Sequence, residues 1–284
     1  MIDFIKALLN PDLPFLRYSL LTGLLASFAF GVVGSYVVVR RISYIAGAIA
    51  HCVLGGIGIG LFLKYKIGWT WFEPMHGAVI SATLAAVIIG LVSLYGRQRE
   101  DTVIGALWAV GMAVGLVFIT LTPGYIDPMS YLFGNILLVT KSDLWWVLGL
   151  DLVVVSAGLL FYNKLLAVCF EEEFARLRGI RVEAYHLFLL ILTALTVVLL
   201  VRVVGIVMVI ALLTLPAAVA GILTQKLWQM MLMAVMASML FVTFGIGISY
   251  IHDLPSGPVI IILAGMVYIL VIIGSGLIKR IASH

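Results

Sequence analysis

Nine apolar stretches dominate this chain. They run roughly over residues 18–39, 44–63, 77–95, 103–121, 144–161, 185–201, 203–223, 230–250 and 259–278. A helix that crosses a bilayer needs about 20 predominantly apolar residues. Nearly every stretch reaches that length. In hydrocarbon every backbone polar group must be satisfied within the protein, so such stretches fold as helices. Composition agrees. The chain is 64% hydrophobic and 11% charged, whereas soluble domains carry about 25% charged residues. The expectation is an all-α, polytopic membrane protein, a single transmembrane domain over residues 1–284. No compact apolar core precedes Pro14, and Asp3 and Asp12 lie there, so the first residues do not read as a cleaved signal.

Cations set the expected orientation. Arg40 and Arg41, Arg97 and Arg99, Lys164 with Arg176, Arg178 and Arg181, Lys226, and Lys279 with Arg280 fall in alternate loops. Positive loops stay in the cytoplasm. The opposite loops carry aromatics and prolines, as in Trp69 to Pro74, Pro123 to Pro128 and His252 to Pro258; Lys64, Lys66 and Arg202 are exceptions. This places the N-terminus outside and the C-terminus inside. Gly205 and Pro216 within 203–223 mark a broken or re-entrant element, which leaves eight or nine crossings open. A short interfacial helix is expected over 131–138. The net charge of +4 lies in loops. It bears on topology and membrane lipid, not on nucleic acid.

One hydrophobic stretch is interrupted by ligand-type side chains. His51 and Cys52 stand side by side in 44–63. Polar groups at bilayer depth are costly and mark substrate or ion paths. Gly47, Gly55 and Gly56 in the same stretch allow the helix to bend or to pack closely. The plainer account of His51 is a packed, hydrogen-bonded histidine, and of Cys52 a small core residue. Asp151 and Arg202 should face protein or a water-filled cavity.

One loop, 170–181, differs from the rest. Glu171, Glu172 and Glu173 open it, and Arg176 and Arg178 close it, an order that complements a helix dipole. Gly179 is placed as a C-terminal cap. Phe174 and Leu177 share one face around Ala175 and Arg176. This is either a solvated connecting helix or a cytoplasmic coupling helix that seats in a partner.

These features in order resemble the permeases of bacterial ABC importers for zinc, manganese and iron. The family pattern of an acidic residue, Glu, x, Ala, three further residues and Gly is met by Glu172, Glu173, Ala175 and Gly179. A Val-Gly run ending in Leu-x-Pro-Ala-Ala follows as Val204, Gly205, Leu215-Pro216-Ala217 and nearby residues, with Asp253-Leu254-Pro255 further on. The family's Asp-x-x-x-His-x-x-Leu-x-Gly is matched at His51, Leu54 and Gly56, but Gly47 stands where the acidic residue belongs. The resemblance implies a type II ABC importer permease. It also implies an ATP-binding ABC subunit, a second copy of the chain, and a periplasmic or lipoprotein metal-binding protein as partners. The cargo would be a divalent metal, moved by alternating access across the bacterial inner membrane, with no permanently bound cofactor. Loss of the carboxylate leans toward zinc, because manganese prefers oxygen ligands.

The chain has no phosphate-cradling loop for ATP and no metalloprotease or serine-hydrolase motif. It is therefore not expected to be an enzyme. Two alternatives stay open: an ion-gradient-driven secondary metal transporter and an intramembrane enzyme. The first would call for inverted repeats and intramembrane carboxylates.

Overall fold

The computed structural model describes residues 2–10, 13–96, 99–124, 132, 134, 139 and 141–282. Twelve helices are described, with no strand among the described residues. In chain order they are α1 (Ile2–Leu9), α2 (Pro14–Val39), α3 (Ser43–Phe62), α4 (Pro74–Tyr95), α5 (Glu100–Leu121), α6 (Lys141–Leu160), α7 (Tyr162–Phe170), α8 (Glu172–Leu177), α9 (Val182–Val204), α10 (Ile206–Leu223), α11 (Leu227–His252) and α12 (Ser256–Ala282). Each apolar stretch of the sequence is one of these helices. Eight of them are long and apolar enough to cross a membrane. The remaining long helix, α9, has 23 residues and is apolar over Val182–Val198. At 1.5 Å per residue it is about 34 Å long. The expected short helix at 131–138 lies largely outside the described residues.

Boundaries follow local chemistry. Pro14 and Pro74 occupy the first turns of α2 and α4, where a missing N–H costs nothing. Between α2 and α3 the chain turns on Arg41, at φ 61°. Its neighbours close the turn: Arg41 N–H donates to the Val38 carbonyl and Ile42 N–H to the Val37 carbonyl. Gly205, at φ 84° and ψ 160°, ends α9 and starts α10. That backbone favours glycine. The break expected around Gly205 and Pro216 therefore falls at Gly205. Pro216 sits inside α10, which continues to Leu223.

α3 is the central helix. It packs on α4, α5 and α9, and most of its span is covered by protein. α5 and α12 sit outside, with most of their spans uncovered. Without a hydrophobic drive between helices in lipid, close packing through small residues holds them together. The glycines of α3 supply it. A Cβ on Gly55 would meet the Gly111 carbonyl oxygen at 2.8 Å, and Gly56 and Gly77 approach each other's carbonyls more closely still. Successive contacts of Gly47 with Trp108, Cys52 with Gly111 and Leu54 with Gly115 run α3 and α5 side by side in the same direction. Likewise α2 and α6 run parallel. Ala29 meets Asp151 and Tyr36 meets Gly158. Gly47, Gly55 and Gly56 are each closely approached by another helix. α3 is a continuous α-helix from Ser43 to Phe62, because these glycines are used for approach. The irregularity comes later, in a π-helical turn at Leu63–Ile67.

Candidate metal path and coupling helix

His51 lies midway along α3, 8% exposed. Its Nδ1 is buried and has no hydrogen-bond partner. The Trp108 indole of α5 stacks on the imidazole, with centroids 4.4 Å apart and planes 25° apart. The same indole lies over Gly47, one turn earlier on the same face of α3. A Cβ there would meet Trp108 Cζ3 at 2.7 Å and Cη2 at 3.0 Å. The position of the missing acidic residue is therefore filled by a ring from another helix.

Cys52 faces α5 differently. Its thiol donates to the Leu107 carbonyl at 3.3 Å and packs where a side chain on Gly111 would go. This arrangement fits a thiol that joins two helices. No group of three or more His, Cys, Asp and Glu able to hold a metal occurs among the described residues. His51 thus presents a buried ring nitrogen with no hydrogen-bond partner and belongs to no such group among the described residues.

Asp151 is engaged by α2. Its Oδ1 accepts from the Ala29 N–H at 3.1 Å, so it joins α6 to α2. The side chain of Arg202 lies outside the described residues.

The loop 170–181 contains a compact helix, α8. Gly179, at φ 74°, closes it: Gly179 N–H donates to the Arg176 carbonyl and Ile180 N–H to the Ala175 carbonyl. That is the Schellman arrangement in which glycine takes the left-handed position. Ala175 is fully buried and packs with Val168 and Val182. It seats the helix on its own subunit. Glu172 pairs with Arg40 at the end of α2. Arg176 pairs with Glu183 of α9 at 2.5 Å. The Arg178 guanidinium lies 4.6 Å from the Phe174 ring centroid. These charges are largely engaged within the subunit. Leu177 is 87% exposed, and Phe174, Glu171 and Glu173 are also exposed. Beside them is an open groove of about 920 Å³ lined in part by Tyr162, Phe170, Phe174, Arg178, Lys226 and Trp228.

Two groups behind this helix are not marked by the sequence pattern. His186 of α9 is buried, both ring nitrogens lack a hydrogen-bond partner, and it lies within electrostatic range of Arg40 and Glu172. Cys169 of α7 is buried, and burial pushes its thiol up to about 11 despite the nearby Arg40. His186 sits four residues into an apolar helix, and this is the single signal the sequence offers for it.

The sequence and the fold have known counterparts. A model of the ABC 3 transport family matches residues 12–275. The chain belongs to the ABC 3 transport family. Relatives of nearly the same length are similar to it. A protein of Chlamydia trachomatis serovar D, named as a probable metal transport system membrane protein, is 40% identical over 256 residues, covering 90% of this chain and 87% of that one. The manganese transport system membrane protein MntC of Halalkalibacterium halodurans is 36% identical over 257 residues, covering 90% and 86%. Among solved structures, PsaBC from Streptococcus pneumoniae, in complex with Fab, superposes with a TM-score of 0.84 at 28% identity, covering 95% of each chain. This ABC 3 family chain is a multi-pass membrane protein, as the two named relatives are membrane proteins of transport systems.

Proposed function

We propose that the chain is the membrane subunit of an ATP-driven importer of a divalent first-row transition metal, and that the ion passes His51. The observation that carries this reading is the buried imidazole on the central helix, with Nδ1 left without a partner. An unpaired polar atom at that depth is expensive, and a ligand-type group kept there at such cost marks an ion path. The cargo is read as manganese from the names of relatives such as MntC. A second reading, zinc, is favoured by the donor set: an imidazole without a neighbouring carboxylate suits zinc better than manganese.

Two copies of the chain enclose the path, and each carries an ATP-binding ABC subunit on the end where α8 projects. A periplasmic or lipoprotein metal-binding protein delivers the ion at the opposite end. The exposed Leu177 and Phe174 and the adjoining groove form the surface that seats in the ATPase. ATP binding and hydrolysis there move α8 and open the helices around His51 to alternate sides. The loops carrying Arg40, Arg99 and Arg176 face the cytoplasm and those carrying Trp71 and His252 face outward. All nine long helices cross the membrane. Uptake of zinc, manganese and iron in cells lacking the gene, with and without the plasmid-borne transporter, tests the cargo. Loss of manganese uptake on deletion supports the first reading. Loss of zinc uptake alone supports the second, and no loss of either contradicts both.

A further inference from the structure

Trp108 occupies a particular place beside His51. Residues four apart on a helix share one face about one turn apart. Position 47 is therefore where a side chain could join the His51 imidazole around one ion. The ring of Trp108 lies across both positions. It stacks on His51 at 4.4 Å and fills the space over Gly47 to within 2.7 Å of where a Cβ would stand. The neighbouring Cys52 thiol is turned to the Leu107 carbonyl. Nothing else ionisable completes a cluster among the described residues.

We infer that Trp108, together with Gly47, sets the metal preference of this permease by excluding oxygen donors from the face of α3 that carries His51. The proposal rests on the reading that His51 meets the ion, and it sides with zinc, the second reading of the cargo, over manganese. The physical reason is ligand hardness. Manganese favours carboxylate, carbonyl and water, whereas imidazole suits zinc and iron. An indole where a carboxylate or a bound water would stand removes hard donors and leaves nitrogen. Gly47 and Trp108 then form one unit, since a side chain at 47 and the ring at 108 cannot both fit. Trp108 acts as a positioning and excluding residue and does not itself ligate.

The competing account is that Trp108 only fills the α3–α5 interface, as aromatics in apolar cores do. Transport of radioactive manganese and zinc by the complete transporter, at matched membrane levels, separates the two. Gly47→Asp alone should lose transport of both ions, because its carboxylate collides with the ring. Gly47→Asp combined with Trp108→Leu should recover transport, with the manganese-to-zinc ratio raised about tenfold over the parent, the scale on which neighbours of a metal ligand tune affinity. Trp108→Leu alone should raise the ratio in the same direction by admitting water. Trp108→Phe, which keeps a ring, should hold the parental ratio.

His51→Ala serves as the reference for the underlying reading. Unaltered uptake in His51→Ala overturns that reading and this proposal with it. Lost uptake in His51→Ala, with a parental ratio in Trp108→Leu, overturns the role of Trp108 alone. Should the double variant fail to insert, the ratio in Trp108→Leu decides.

Discussion

The Arg40 guanidinium at the end of α2 holds the Glu172 carboxylate at the start of α8. It also donates to the Val168 carbonyl of α7 at 3.3 Å. Arg41 follows in a left-handed turn, and α3 departs two residues later. The helix proposed to meet the ATPase is thus tied to the junction from which the His51 helix begins. Movement of α8 has a short, charged route into α3.

That route makes a prediction. The pair is partly exposed, so it adds about 0–1 kcal/mol to stability. Glu172→Ala and Arg40→Ala should insert normally. Metal uptake should nonetheless fall severalfold, since reversed or missing charges at a contact spoil its register. Arg40→Glu with Glu172→Arg should recover part of the loss. Equal uptake in the single variants and the parent would show that the pair transmits nothing.

The surface of α8 that faces outward is more apolar than its sequence implies. Glu172 and Arg176 are held by Arg40 and Glu183, and Leu177 is left 87% exposed. Leu177→Asp should therefore weaken capture of the ATPase more than Glu173→Ala. A buried, unpaired charge costs about 2 kcal/mol or more at an interface. The measurement is the amount of ATPase recovered with the tagged permease in detergent. Undiminished recovery with Leu177→Asp would remove Leu177 from the contact.

Gly56 of α3 and Gly77 of α4 approach too closely for a side chain on either. Both neighbours are backbone, which cannot swing aside. Gly56→Ala should lower the stability of the detergent-solubilised protein by about 1–3 kcal/mol, the usual cost of overpacking. Thermal unfolding followed by circular dichroism checks this. Gly265→Ala, where a Cβ meets nothing within 4 Å, is the matched control and should leave the midpoint unchanged.

Much of this arrangement was legible in the sequence. Apolar length marks the long helices, because lipid forces each stretch to satisfy its own backbone. The α8 pattern of acids, bases and Gly179 is local chemistry, and local chemistry is readable. What could not be read is where helices meet. Trp108 lies 57 residues beyond His51 in an ordinary apolar run, and no periodicity pairs them. The partner of Arg40, 132 residues away, is hidden for the same reason. Glycines in α3 look alike whether they bend a helix or let another approach, and only the neighbouring Gly77 and Gly111 carbonyls distinguish the two. The short element at 131–138 lies outside the described residues.

Orientation has its own test. Cysteines placed at Trp71, in the turn before α4, or at His252, the last residue of α11, both exposed, should react with a membrane-impermeant maleimide added to intact spheroplasts. Cysteines at Arg99 or Leu177 should react only after permeabilisation. The alternate placement of cations is the reason. External labelling at Leu177 would invert the topology and separate α8 from any cytoplasmic ATPase.

The central claim is that the cargo ion meets His51. It is tested most directly by manganese and zinc uptake in His51→Ala and His51→Gln, at matched membrane levels, in cells without the native gene. Loss of the imidazole nitrogen should cut uptake at least about tenfold in both, because glutamine keeps size and hydrogen bonding but is a far poorer ligand for these ions. Near-parental uptake in both variants would contradict the account and leave His51 a packed side chain beneath Trp108.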